Sequence, residues 1–385
     1  MYLLVAYMKF KFTKIAILVV VLIGLFQLWA QSDRITSTEP TSLKLENIEV
    51  VGQDSAKGNL LGIQPYLLPA DYANETIFYN KLSGYLTEAK NNGFITDKTI
   101  VVFPEYTGTW LVAVNEKASV YSAPTVNSAI TTVVLTHPLS FIKNYFGAPA
   151  DDKAKYAVFL MKAEEMATIY ERVFSKLAKE FGVTVVGGSI VLPEPSVSAA
   201  GRLKIKKGNL YNVCGVFGPD GKLKDPLSIK AFPINDEKIF TCAGKAQNIP
   251  VYQTSAGNLG VVICADSWYP AVYETLKNKK ASLLAVPSFS APDNLWSTKW
   301  KGYNGAAIPA DVNKTDIGKL TEKDAWLKYS MGGRALKSTV SNGINVFLRG
   351  KLWDLGDDGS VIYLKNKTVN HSKIIDGAAL INIWL

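Results

Sequence analysis

The chain has 385 residues, long enough for one large domain or two ordinary ones. Hydrophobic residues make up 48% and charged residues 19%, which excludes a largely disordered polypeptide. The formal net charge is +9, yet Lys and Arg are scattered, with no dense basic run interleaved with aromatics. Nucleic acid is therefore not an expected partner, and an anionic membrane surface fits the charge at least as well.

From Met8 the chain reads MKFKFTKIAILVVVLIGLFQLWA, with Lys9, Lys11 and Lys14 ahead of an apolar run from Ile15 to Ala30. A basic segment followed by an apolar one predicts export. The run is long for a signal core and short for a comfortable membrane span. Leu28 stands where a cleavable signal wants a small residue before Ala30. Residues 1–30 are thus expected to be a signal peptide or a single transmembrane anchor, the anchor being preferred. Its lysines would be cytoplasmic, and the body would face the periplasm or the cell exterior, held by residues 15–30. Residues 31–45, rich in Ser, Thr and Pro, read as a linker.

From residue 46 strands and helices alternate. No fixed-period repeat and no Pro/Gly-rich break divides 46–385, which reads as one domain. NLLGIQPYLL predicts a strand, ETIFYNKLSGYLTEAKNNG an amphipathic helix closed by Gly93, and KTIVVFPEY a buried strand with a polar tip. Residues 110–160 then interrupt the alternation with a long, apolar-rich insertion that reads as an ordered lid. Its Tyr145 and Phe146 are candidates to close a pocket from above. AEEMATIYERVFSKLAKEFG is a helix with a glycine stop, VTVVGGSIVLP a strand, and NVCGVFGPDGKLKD a hairpin turning at Pro219-Asp220-Gly221. NLGVVICADSWYP is a strand followed by a helix near 270–279 and the strand ASLLAVPSF. The last third predicts a helix over 329–342, the strand GINVFLRG, and a hairpin in LWDLGDDGSVIYL with Gly359 in its turn. The alternation predicts an α/β domain with functional residues at strand C-terminal ends.

Three strand tips share one feature: a buried run ends in a residue able to do acid, base or nucleophilic work. They are VVFPEY with Glu105, PLSIKAFP with Lys230, and VVICADSWYP with Cys264. Each alone has an ordinary structural explanation, an ion pair for Glu105 and Lys230 and core packing for Cys264. Together they form a workable set. A thiol has an ordinary pKa of about 8.5 and is mostly protonated at neutral pH. A neighbouring carboxylate can take its proton as the sulfur attacks, and an ammonium with backbone N–H groups can stabilise the tetrahedral oxyanion. The N–H of Ala265, next to the nucleophile, is the natural second donor. Of the other cysteines, Cys214 and Cys242 could pair in an oxidising compartment, leaving Cys264 over.

These motifs resemble the nitrilase, or carbon–nitrogen hydrolase, superfamily, whose members carry a Glu–Lys–Cys triad in that chain order. FPEY is similar to the Glu motif, SIKAFP to the Lys motif and ICADSWYP to the Cys motif, where C-x-D and a following proline mark amidase-like branches. The resemblance covers roughly residues 46–365. It implies a four-layer α-β-β-α sandwich, a Cys264 thioester intermediate, Glu105 as general base, Lys230 and Ala265 as oxyanion partners, and neither metal nor cofactor. It also implies a supporting Glu a few residues beyond the lysine, for which Glu237 is the candidate and Asp236 competes. Ala231-Phe232 departs from the family's usual bulky residue and Leu. Tyr106, Trp268 and Tyr269, which flank the triad, are candidate walls of a substrate pocket. The expected partners are a small amide or acyl substrate, the membrane through the N-terminal segment, and possible further copies of the chain.

Other chemistries fit poorly. Only His137 and His371 could serve a Cys–His hydrolase, and each reads as a surface or packing residue. No His/Cys cluster has metal-ligand spacing, and no nucleophile elbow, P-loop or dinucleotide fingerprint occurs. The reading is hydrolysis of a non-peptide C–N bond, in an amide before a nitrile. The alternative is acyl transfer to an amine at the membrane with the same triad.

Overall fold

The computed structural model describes residues 2–385. Helix α1, Tyr2–Gln31, contains an apolar stretch, Lys9–Gln31, of mean hydropathy 2.2, largely exposed along its length until Ala30, which is buried. Its end is fastened to the insertion. Lys117 Nζ donates to the carbonyls of Trp29 at 2.8 Å and Ser32 at 2.9 Å. The segment read as a linker makes its own contacts near its C-terminal end. The Thr41 N–H and hydroxyl both bond Asp71, and the buried Lys81 donates to Ser42 O at 2.6 Å.

Beyond it, strands β1 (Leu45–Val51), β2 (Asn59–Gln64), β3 (Thr99–Phe103), β4 (Thr184–Pro193), β5 (Leu210–Phe217) and β6 (Ser228–Ile229) belong to the first sheet. The second sheet contains β7 (Val251–Thr254), β8 (Gly257–Val261), β9 (Leu283–Ser288), β10 (Asn342–Phe347), β11 (Ile362–Lys365) and β12 (Thr368–His371). The last strand, β13 (Ala378–Trp384), returns to the first sheet. It inserts between β1, to which it is parallel, and β2, to which it is antiparallel. The first sheet therefore runs β1-β13-β2-β3-β4-β5-β6 and the second β7-β8-β9-β10-β11-β12.

The period of two along the strands builds the layers. Leu60, Ile100, Val102 and Val186 face one way and pack with Val261, Ala285 and Ile344 of the second sheet. Their neighbours Leu61, Val101, Phe103 and Val185 face the other way, onto helices α2 (Glu75–Asn91) and α5 (Lys153–Phe181). Helix α6 (Pro270–Asn278) covers the second sheet through Val272, Tyr273 and Leu276, with Leu276 seated over Gly260. The result is the four-layer α-β-β-α sandwich implied by the sequence motifs.

The insertion contains helices α3 (Val126–Thr136) and α4 (Pro138–Phe146), and its Val120, Tyr121, Ala129 and Val133 form a small core with Ala73 and Ile77. Its last residues are the start of α5, which begins at Lys153, ten residues before the amphipathic pattern suggests. Asp152 caps it by accepting from Lys155 N–H at 2.9 Å.

Two predicted elements differ. Residues 329–342 are not one helix. They hold the end of one helix (Glu322–Tyr329), a second (Met331–Ala335) and a turn into β10. Ser330 leaves helical geometry, and Gly332 and Gly333 lie against the carbonyls of Leu327 and Lys328, where a Cβ would collide. The C-terminal hairpin pairs β11 with β12 and turns at Asn366-Lys367, both at positive φ, not at Gly359. The Gly359 segment is instead held by buried Arg349, which donates to Asp357 and to the Gly359 carbonyl. All three cysteines are free thiols, Cys214 fully buried between the sheets and Cys242 on the surface, so the pairing considered for them is not formed.

Candidate active site

The three strand tips converge. Glu105 lies two residues past β3, Lys230 follows β6, and Cys264 opens a one-turn 3-10 segment, Cys264–Trp268, just past β8. Lys230 Nζ donates to Glu105 Oε1 at 2.8 Å and to Glu237 Oε2 at 2.6 Å. Asn212 Nδ2, on β5, donates to Oε1 of both carboxylates at 2.9 Å. Tyr106 OH donates to Glu237 Oε1 at 2.6 Å, and the Ile234 N–H donates to Glu237 Oε2 at 2.9 Å. The Cys264 thiol lies within the field of the Glu105 carboxylate and points its Sγ at the Phe289 carbonyl, 3.7 Å away. Glu105 and Lys230 are almost wholly buried and sit behind the thiol. Cys264, Ala265, Tyr106 and Glu237 line the cavity in front.

The backbone is strained where the chemistry would occur. Cys264 has φ +47° and Tyr106 φ +63°, a region that side chains other than glycine rarely adopt. Each is over-determined by its neighbours. Gly188 (φ +64°) lets the Pro104 carbonyl approach so closely that a Cβ would lie 2.2 Å from it. Ser189 then accepts the Tyr106 N–H on its hydroxyl and the Gly108 N–H on its carbonyl, each at 2.9 Å. The Gly187-Gly188 pair interrupts the regular β4–β5 register at the same place. On the other side, the buried Asp266 carboxylate accepts the N–H groups of Ala231 at 3.0 Å and Phe232 at 2.7 Å. That contact locks the residue after Lys230 to the turn that carries Cys264.

Burial pushes the Glu105 carboxyl above the ordinary carboxylate range. Lys230 opposes that shift and the neighbouring Glu237 charge adds to it. Burial acts on Glu237 in the same direction, but the Lys230 ammonium, Tyr106 hydroxyl and Ile234 N–H outweigh it and hold that carboxyl below its usual range. Burial would pull Lys230 down, whereas Glu105 and Glu237 hold it well above the lysine range. Burial, with the Glu105 charge, raises the Cys264 thiol far up, so the resting sulfur keeps its proton. One carboxylate thus neutralises the ammonium, and the other is the group poised to exchange a proton with the thiol.

The cavity encloses about 460 Å³ and is walled mainly by apolar and aromatic side chains. Tyr106, Trp268 and Tyr269 all line it, and of the two acidic candidates after the lysine it is Glu237 that joins the site, with the exposed Asp236 at the cavity wall. The insertion contributes Trp110, Val126, Ile130, Val158 and Phe159. Tyr145 and Phe146 do not line it, and Phe146 is 81% exposed. The histidines lie elsewhere, His137 beside Glu116 at 3.6 Å and His371 on edge strand β12. Among the described residues no group of three or more His, Cys, Asp or Glu is placed to hold a metal. Asn212, absent from the sequence-derived set, is the polar residue in an otherwise buried apolar strand, the one signal that could have found it.

The sequence profile of the carbon-nitrogen hydrolase family matches residues 69–303, more than half of the chain and inclusive of all three strand tips. The chain belongs to that family. This carbon-nitrogen hydrolase family member is 30% identical over 138 residues to a deaminated glutathione amidase of Synechocystis sp., an overlap of 34% of this chain and 47% of the relative. It is 32% identical over 131 residues to an omega-amidase of Xenopus laevis, covering 32% of this chain and 43% of that one. The matched segments thus span about half the length of these curated relatives. In three dimensions it superposes on an amidase from Nesterenkonia sp. with a TM-score of 0.51 at 12% identity, over 86% of this chain and 92% of that one. A carbon-nitrogen hydrolase from Helicobacter pylori gives 0.50 at 17% identity, over 85% and 88%. These structural likenesses concern the fold.

Proposed function

We propose that the protein hydrolyses the C–N bond of a small amide through a Cys264 thioester. The observation that carries this is the buried Glu105–Lys230–Glu237 cluster next to Cys264, which lines an apolar cavity with Glu237. Cys264 Sγ attacks the carbonyl carbon as its proton passes to Glu105, forming the C–S bond. Lys230 has spent two of its three N–H donors on the carboxylates and keeps one for the oxyanion. Ala265 N–H, at the start of the 3-10 segment where no earlier carbonyl of the segment reaches it, is the other donor. The C–N bond breaks as Glu105 returns the proton to the leaving amine. Glu105 then takes a proton from water as the water oxygen bonds the carbonyl carbon, and the C–S bond breaks as Glu105 returns that proton to the sulfur, releasing the acid and the free thiol.

The same thioester handed to an amine would make the protein an acyltransferase, a reading favoured by the apolar cavity walls and the exposed apolar helix α1. In the same reading, α1 anchors the body at the outer face of a membrane, and helix Pro138–Phe146 adds a second contact. None of that helix is buried, and Leu139, Ile142 and Phe146 expose an i, i+3, i+7 stripe on the insertion that grips the end of α1.

The deciding experiment is intact-mass analysis of the full chain in detergent with a panel of amides. An acyl adduct on Cys264 that water resolves, lost in Cys264→Ala and kept in Cys214→Ala, supports hydrolysis. An adduct that only an added amine resolves supports acyl transfer. Full activity in Cys264→Ala overturns both.

A further inference from the structure

One wall of the cavity carries a charge the thioester chemistry does not use. Trp268 ends the 3-10 segment that begins at Cys264, and its ring lies 4.9 Å from that of Trp326 and 5.9 Å from that of Trp300. Tyr303 meets Trp268 edge-on at 5.6 Å and Trp300 at 5.9 Å. Trp326 stands one helical turn after Glu322 in helix Glu322–Tyr329, so the two share a face. The Trp300 backbone N–H bonds Leu320 O at 2.9 Å, which holds the segment that carries the third indole beside the start of that helix. All five residues line the cavity that contains Cys264.

Glu322 is half-buried there, and no hydrogen-bond donor or cation of the described residues meets its carboxylate. Burial, with nothing to offset it, pushes that carboxyl up to about 7. It is not a spent helix cap, because Thr321 caps the helix by accepting from Asp324 N–H and the Glu322 N–H is taken by the Thr298 carbonyl. The other charges around the cavity are committed or outside. Lys155 pairs with Asp152 at 3.3 Å, Glu237 pairs with Lys230, and Asp236 is exposed. Arg334, behind Tyr303, pairs with Asp311. An unpaired carboxylate on a cavity wall shared with indole and phenol rings is what an organic ammonium needs: ring quadrupoles to replace its water and one counter-charge.

We propose that Glu322, with Trp268, Trp300, Tyr303 and Trp326, forms a subsite for an ammonium group on the substrate, so that the preferred substrates are cationic amides. The inference rests on the amide-hydrolase reading for the bond cleaved, and the ammonium site itself can be tested without turnover.

The full chain in detergent is assayed with ω-aminohexanamide against its neutral counterpart heptanamide, and with N-acetylputrescine against N-pentylacetamide. The first pair carries the charge on the acyl side and the second on the leaving amine. The expected result is about a tenfold higher kcat/KM for the cationic member of at least one pair. In Glu322→Gln that ratio collapses toward one. Independently, hexylammonium quenches tryptophan fluorescence in the wild type and quenches Glu322→Gln at about tenfold higher concentration, while hexanol gives no such difference. Equal kcat/KM within both pairs, or hexylammonium quenching unchanged by Glu322→Gln, overturns the subsite. If no amide is cleaved and no Cys264 adduct forms, the hydrolase reading fails, and hexylammonium quenching alone then upholds or overturns the subsite.

Discussion

Two carboxylates around one ammonium set the proton inventory of the site. With Lys230 and Glu237 both charged, the cluster is neutral only while Glu105 holds a proton; burial, reinforced by the Glu237 charge, pushes Glu105 up, and Lys230 holds Glu237 down against its own burial. In the proposed mechanism Glu105 must be ionised to act as base, so the acid limb of the kcat/KM profile is expected above the ordinary glutamate range. The Glu237 charge is one cause of that elevation. Glu237→Gln should therefore move the acid limb to lower pH while lowering the maximum, and a limb that moves up would sink this assignment. Removing the cation has a different cost. Lys230→Met leaves two buried carboxylates facing each other, an expected loss of about 3–5 kcal/mol in denaturant unfolding. At this scale Glu105, Lys230 and Cys264 were legible because strand tips that end in ionisable residues are conspicuous in an apolar chain. Asn212 was not, since a single amide in a strand has many ordinary explanations.

At the scale of elements, the glycine pair in β4 shows how a local irregularity aims a side chain. Gly188→Ala would place a Cβ against the Pro104 carbonyl at a backbone angle that alanine resists. The expected cost is on the order of 2–4 kcal/mol, with activity lost well before the fold, measured by thermal unfolding beside turnover. The exposed helix Pro138–Phe146 makes a second expectation. In the full chain reconstituted in anionic lipid nanodiscs, amide exchange over 138–146 should slow relative to detergent. Leu139→Ser with Phe146→Ser should abolish the slowing, and no slowing in the wild type would remove this helix from the membrane contact. Here sequence periodicity succeeded where one pattern dominated, as in α2 and the buried strands. It failed over 329–342, where adjacent glycines let two short helices fold against each other and mimic one continuous pattern.

At the scale of the whole molecule, the C-terminal strand is structural mortar. All seven residues of β13 are buried, and among the described residues it is the strand that pairs β1 to the rest of the first sheet. Deleting residues 378–385 would expose the β2 edge and the floor of the core together. The loss is expected to exceed the roughly 5–15 kcal/mol by which a domain is stable, leaving no cooperative thermal transition by circular dichroism. Soluble, cooperatively folding truncated protein would show that the sheet is held otherwise.

By itself the sequence determined the apolar N-terminal helix, the alternation of strands and helices, the three strand tips that end in ionisable residues and the family, because each is written in local period or local composition. Only the tertiary structure decided that β13 lies between β1 and β2, that Glu237 rather than Asp236 shares the lysine, and that Glu322 looks into the same cavity as Cys264. Those three depend on residues far apart in the chain meeting across sheets and loops. Burial then makes their charges matter, and neither burial nor distance can be read along a single strand of text.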